Sequence, residues 1–384
     1  MLFTPKPIVA IVTMAMLTSA FAANNISEKK YCGPLVDSEM ARVIHVNSPI
    51  REVASCWQDR FAYGGAVTLA FQRADAMDTP TSTQSFFNVR SLNLYTDVLV
   101  NKQMTWHMML NQHATLTNNM PVSDVELGGD IEIDEAYLTI HNFMNAPVYM
   151  KLGQSYSIFG NYSDPYPPVF SINKGYVQAN NTNVTIGLVT DAGYALSAFV
   201  FENETSQDWN EYGMRLGYEG DLMGLDFSLN ASYVDNYAAL TGTMSAHPST
   251  NANLDQAAYD VSAGVKVRDM ALWLEYFAAS GNVLDTGNTT NAEPKVFSVK
   301  AYYDFKVADK KAYWRASYEK AADASAMASH AFSAAQSAEK HLGVGVVVAI
   351  DKHAYLSVDY HRFTPFSNTL NDQKQLVGAL KVTF

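Results

Sequence analysis

Long and short polar connections alternate along this chain without a break. Tight turns fall near residues 101, 146, 192, 222, 269, 310 and 352, and long polar segments lie near 73–85, 113–130, 155–183, 203–210, 236–256, 280–295, 322–339 and 364–373. The stretches between them alternate apolar and polar residues with period two, as in Tyr63, Gly65, Val67, Leu69 and Phe71 or Leu356, Val358 and Tyr360. Period two is the signature of a strand with two different faces. A soluble β-sandwich has no reason to sort its loops by length in strict alternation. An even-stranded barrel across a membrane must do so, because its turns lie on one side and its loops on the other. The chain therefore reads as all-β: a transmembrane antiparallel β-barrel of about sixteen strands over residues 61–384, with short periplasmic turns and long extracellular loops.

The clearest unit is Asp134 to Lys174. Ala136, Leu138 and Ile140 share one face of its first arm, and Val148, Met150 and Leu152 share one face of the second, around the turn Asn145-Ala146-Pro147. A connection rich in Tyr, Pro, Asn and Ser follows, with no helical period. The chain ends on Leu376, Gly378, Leu380, Val382 and Phe384, a terminal aromatic in phase with the apolar face.

Composition supports a membrane barrel and excludes other classes. Only every second strand residue need face lipid, so 48% hydrophobic residues and the absence of an eighteen-residue apolar run fit. The 22 Tyr and 19 Phe can furnish interfacial girdles. A net charge of -12 argues against nucleic acid, whose phosphates demand a basic face.

Residues 1–22 read as an export leader: Lys6, an apolar run from Ile8 to Leu17, and Ala20-Phe21-Ala22 as cleavage site. Residues 23–60 then form a short periplasmic segment, the expected location being the outer membrane of a Gram-negative bacterium. That segment holds both cysteines, Cys32 and Cys56, and in an oxidising compartment a lone pair is expected to close a disulfide. No metal or cofactor is expected: two thiols without paired histidines make a poor zinc site. His107, His113 and His141 are scattered, and no nucleophile, zincin or phosphate-loop motif accompanies them or Ser155. An enzyme is not expected.

Asp134-Glu135-Ala136-Tyr137-Leu138-Thr139, then Gly153-Gln154, Tyr156, Phe159-Gly160, Tyr162 and Ser163-Asp164-Pro165, resemble the siderophore porin family (LbtU-like), itself similar to the larger phosphate and general porin superfamily. The resemblance extends loosely over residues 61–384. It implies a single-chain barrel admitting a small hydrophilic solute, ferric siderophores among the candidates, without a large plug domain.

A barrel of this girth keeps a wide bore unless something fills it. The connection 155–183 is the longest and the most aromatic, stiffened by Pro165, Pro167 and Pro168, and is expected to fold inward as the constriction. Candidate pore residues are Lys151, Tyr156, Tyr162, Asp164, Tyr166, Phe170, Lys174, Glu135 and Arg215. Asp164 and Lys174 are placed to meet wall charges such as Lys151 and Glu135, or the passing solute. With the turn centred on Asp309-Lys310, Lys300 is expected opposite Glu319 and Asp304 opposite Arg315, all facing the lumen. Expected partners are outer-membrane lipid and lipopolysaccharide, the barrel-assembly machinery at Phe384, and the solute, with a homotrimer as an admissible assembly. A structural or adhesive barrel that binds through its loops, notably the Ala/Ser-rich 321–338, is the alternative.

Overall fold

Sixteen antiparallel strands close into a ring. They are β1 Phe61–Asp75, β2 Thr83–Asn101, β3 Met104–His113, β4 Glu132–His141, β5 Val148–Tyr156, β6 Asn180–Val189, β7 Tyr194–Phe201 and β8 Glu211–Leu222. The second half comprises β9 Leu225–Val234, β10 Ala258–Val267, β11 Met270–Ala279, β12 Lys295–Val307, β13 Lys310–Ala322, β14 Ala338–Ala349, β15 Ala354–Pro365 and β16 Gln373–Thr383. The computed structural model describes residues 31–32, 56–58, 61–75, 83–101, 103–113, 131–141, 146–160, 171–203, 209–241, 256–280, 283–284, 291–322, 338–351, 353–366 and 372–384. Each strand pairs with its sequence neighbours, and β16 returns to β1 with Thr383 opposite Ala66 and Gln375 opposite Ala74. Gly65 and Phe384 exchange backbone hydrogen bonds of 2.9 and 3.0 Å, which extends the seam to the last residue.

The period-two pattern sorts side chains as read. On β7, Leu196, Ala198 and Val200 point outward while Ser197, Phe199 and Phe201 are buried inside. Aromatics ring the outside near both ends. Tyr233 faces Tyr259 and Tyr276 faces Phe297 at the loop end, and the Tyr194 and Tyr218 rings lie 4.8 Å apart at the turn end. Such rings place an apolar body against lipid and a polar tip in the interface.

The hairpin β12–β13 departs from the expected register. Val307 pairs with Lys310, so Ala308 and Asp309 form the turn, with φ of 47° and 64°. Two left-handed residues make a type I′ turn, whose twist matches that of the strands. This two-residue turn is centred one position earlier than expected, so Lys300 faces Ser317 and Asp304 faces Tyr313. The pairs Lys300–Glu319 and Asp304–Arg315 are not formed. Because the partners shift by two, all four residues keep the inward face.

Before β1, Cys56–Gln58 continues the sheet along the edge of β1, and Tyr31–Cys32 pairs with it, Cys32 opposite Cys56. The leader 1–22 and the rest of 23–60 lie outside the described residues, as do Tyr162, Asp164, Tyr166, Phe170 and most of the Ala/Ser-rich segment 321–338.

Candidate functional site

The inner wall carries the charges that the alternation assigned to it. Glu135, Lys151, Arg215, Asp260, Glu275, Lys300, Arg315, Glu319 and Asp359 are all buried on inward faces. Buried charges persist when paired and hydrogen-bonded, and here the pairs run around the wall. Arg315 holds Asp359 at 2.6 Å, Lys266 lies 3.2 Å from Asp304, and Lys300 lies 3.9 Å from Glu275. Across the lumen, His107 Nδ1 lies 2.5 Å from Asp97, with Glu135 3.8 Å from its other nitrogen. Lys151 donates to the Tyr156 carbonyl at 3.2 Å and stands 5.3 Å from the centre of the Tyr137 ring. Arg215 donates to Asn230 at 2.7 Å.

The connection between β5 and β6 is described at both its ends. Residues 157–160 leave β5 and turn back on Gly160, whose φ of +72° is left-handed; its amide donates to Ser232 on β9 at 2.8 Å. Glycine is required there for a second reason, since a Cβ would stand 2.6 Å from that of Val177. The far end contains a short helix, α1 (Ile172–Val177), with Ser171 as N-cap, its hydroxyl accepting from the Lys174 amide at 3.2 Å. Ser171 Oγ donates to Glu319 Oε1 and the Ile172 amide donates to Oε2, both at 2.6 Å. Glu319 belongs to β13, which stands eight strands from β5 in a ring of sixteen. The chain leaving β5 thus reaches the opposite wall.

An apolar core fills the loop end of the lumen. Ile158, Phe159, Ile172, Tyr176 and Val177 pack there against Phe199, Phe201, Phe277 and Phe363 of the wall. The Phe159 and Phe277 rings meet edge to face with centres 6.2 Å apart. A second connection contributes as well: α2 (Tyr237–Thr241) brings Tyr237 and Leu240 into the same core. Tyr237 donates to the Tyr176 carbonyl at 2.6 Å, and burial pushes both phenols above their ordinary range, so each remains protonated.

The sequence-derived candidates fall into three groups. Tyr156 is buried and donates to the Asp134 carboxylate, 3.1 Å from each oxygen. Glu135, Lys151 and Arg215 line the wall away from α1's contact. Lys174 is exposed on α1, and the loop meets the wall through Ser171 and the Ile172 amide. The remaining four lie outside the described residues. Sequence reasoning missed Glu319 as the loop's partner, and the signal for it was weak: Ser171 three residues before Lys174 is an ordinary cap pattern. It also missed α2.

No protein-family model matches this chain, and no curated protein is similar to it in sequence. Solved structures do share its fold. OprB of Pseudomonas putida superposes with a TM-score of 0.57 at 10% identity, over 85% of this chain and 94% of that one. The outer-membrane channel DcaP of Acinetobacter baumannii gives 0.57 at 13% identity, over 84% and 97%. An anion-selective porin from Comamonas acidovorans gives 0.54 at 9% identity, over 84% and 99%. At these identities the likeness establishes the fold alone: a closed barrel of sixteen antiparallel strands.

Proposed function

We propose that the chain is an outer-membrane porin, a passive channel for small hydrophilic solutes in which the connection between β5 and β6 narrows the bore. One observation carries this reading: Ser171 and Ile172, on a connection that springs from one wall, are bonded to Glu319 on the opposite wall. An open sixteen-stranded ring would otherwise leave a wide aqueous lumen, and a polar, charge-lined wall suits hydrated solutes. Residues 1–22 fit an export leader for such a protein. The resemblance of residues 134–165 supports a ferric siderophore as one solute class, for which one-sided addition should block single-channel current reversibly.

The general reading is tested by deleting residues 162–175 and reconstituting the barrel in planar bilayers. Conductance should rise and discrimination between solutes should weaken. Unchanged conductance in a correctly folded deletion variant places the constriction elsewhere.

A further inference from the structure

The outer face is unevenly charged at its loop end. Lys295 on β12, Lys320 on β13, Lys340 on β14, Arg362 on β15, Lys374 on β16 and Arg73 on β1 stand there on six consecutive strands of the closed ring. Their strand neighbours Val296, Glu319, His341, Phe363 and Gln375 are buried inside, and Gln72 beside Arg73 bonds to Gln375, so the alternation sends all six cations outward. Along β2–β11 no lysine or arginine faces outward at that end, among the described residues. The chain as a whole has a net charge of -12, so this arc runs against the sign of the protein.

The register makes the row level. Lys320 is directly opposite Lys340, and Arg362 directly opposite Lys374. Elsewhere the row steps two residues toward the turns: Lys320 is opposite Phe297 rather than Lys295, Arg362 opposite Leu342 rather than Lys340, and Arg73 opposite Leu376 rather than Lys374. Opposed residues drift the other way. From Tyr63 near the turn end of β1, successive partners Thr96, Met108 and Ala136 lead to Gln154 near the loop end of β5. That drift is the stagger of a tilted barrel. Three steps amount to about 20 Å along the strands over about 24 Å across them, a slope within the tilt of about 35–45°. The steps cancel the stagger, and the six cations share one height.

That height is the headgroup layer. On four of the six strands the next outward residue below is Phe297, Tyr318, Tyr360 or Phe71, so the row stands just above the aromatic ring. Holding it there is unfavourable for the barrel alone, since like charges directly opposite one another on a sheet repel. Three carboxylates offset part of the charge: Glu293 lies 3.4 Å from Lys295, Glu339 lies 3.4 Å from Lys340, and Asp372 accepts from Arg362 Nε at 2.8 Å. Lys320 and Arg73 form no ion pair among the described residues.

We propose that this arc is a docking surface for the phosphate-bearing glycolipid of the outer leaflet, lipopolysaccharide. In the outer membrane the long loops of a barrel face away from the cell, so the row meets that leaflet. Phosphates on the sugar headgroup supply the opposite charge, met by Arg362 and Arg73 through forked hydrogen bonds and by the lysines as point charges. The acyl chains then lie along Tyr318, Leu342 and Tyr360 below. The surface is separate from the loop that narrows the bore.

The test compares the full-length barrel, folded in zwitterionic detergent, with two triple variants. One removes part of the row, Lys320→Gln with Lys374→Gln and Arg73→Gln. The other makes an equal charge change at exposed positions of the turn end, Lys306→Gln with Lys310→Gln and Lys311→Gln. Titrated with purified lipopolysaccharide, the row variant should bind at least about tenfold more weakly than the parent, and the turn variant within about twofold of it. Lipopolysaccharide stripped of its phosphates should bind the parent as weakly as the intact lipid binds the row variant, and inorganic phosphate at equal concentration should not displace the lipid. Without lipid, the row variant should unfold at the parent's temperature or above it, since repulsion has been removed. Unchanged lipid binding in the row variant, equal weakening in both variants, or equally tight binding of phosphatidylglycerol overturns the proposal. A change of assembly size with lipid binding unaltered would assign the row to a contact between copies, which also overturns it.

Discussion

Lys300 and Glu275 form an ion pair that is almost sealed from water: Nζ lies 3.9 Å from Oε2, and the two side chains are 3% and 0% exposed. They sit diagonally on β11 and β12, where Lys300 is directly opposite Trp273 and Glu275 opposite Ser298. Removing one partner of such a pair leaves the other charge uncompensated, which costs about 3–5 kcal/mol, whereas replacing both is often neutral. Lys300→Met should therefore lower the temperature at which the barrel loses its compact gel mobility. Adding Glu275→Gln should restore most of it. Equal loss in single and double variants would count against the pair.

Gly160 offers a test confined to the loop. A side chain there meets both a left-handed backbone and Val177, so Gly160→Ala should cost roughly 1–2 kcal/mol in local stability. Since Gly160 belongs to a connection and not to a barrel strand, the unfolding temperature should change little while proteolysis at the loop accelerates. A proportionate loss in the whole barrel would show that the loop core is needed for the ring.

Adjacent residues on β7 should respond in opposite ways. Leu196 is 54% exposed on the outer face and Ser197 is buried inside. Leu196→Arg, two positions inside the Tyr194 ring, should cost folding free energy in lipid vesicles, by urea titration, between the about 0–1 kcal/mol of the interface and the about 2–4 kcal/mol of the midplane. The same change in detergent micelles, which deform around the charge, should cost less. Identical penalties would mean that this face is not in contact with lipid.

The turn at Ala308 and Asp309 asks two non-glycine residues to adopt positive φ. The double substitution Ala308→Asn and Asp309→Gly supplies the residues that type I′ turns favour and should stabilise the hairpin by about 0.4–1 kcal/mol. A lowered unfolding temperature would argue for another turn geometry.

Cys32 and Cys56 lie opposite one another in the short sheet beside β1. Opposed Cα atoms in an antiparallel pair are about 4.5–5.5 Å apart, within the span a disulfide bridges. Mass spectrometry of the exported protein without reductant should recover the cross-linked peptide. Alkylation of both thiols under those conditions would refute the bond.

Much of the ring was legible because a membrane barrel writes its rules at period two. Leu196 and Ser197, or Val299 and Lys300, announce their faces by chemistry alone, and connection length separates one side of the membrane from the other. Register was not legible to the residue. Ala308 carries no turn signal, and nothing in Ala-Asp-Lys-Lys says where the two left-handed residues fall. The loop's contacts were partly legible: of its aromatics, the described Phe159 and Tyr176 lie with Ile172 in the apolar core. Its anchor was not, because Glu319 reads locally as one more lumen carboxylate. Only folding brings it to Ser171, nearly 150 positions away in sequence.

The bonds between Gly65 and Phe384 join the first barrel strand to the final residue of the chain. An inserting chain therefore carries two raw edges until β16 meets β1, and each edge is an invitation to pair with a stranger. Completion is a single event, the meeting of β16 with β1. It also follows that the ring has no intrinsic beginning. Re-joining the ends near 61 and 384 through a short linker, and opening the chain instead in a long connection such as 281–290, should yield the same sixteen ladders in the same order.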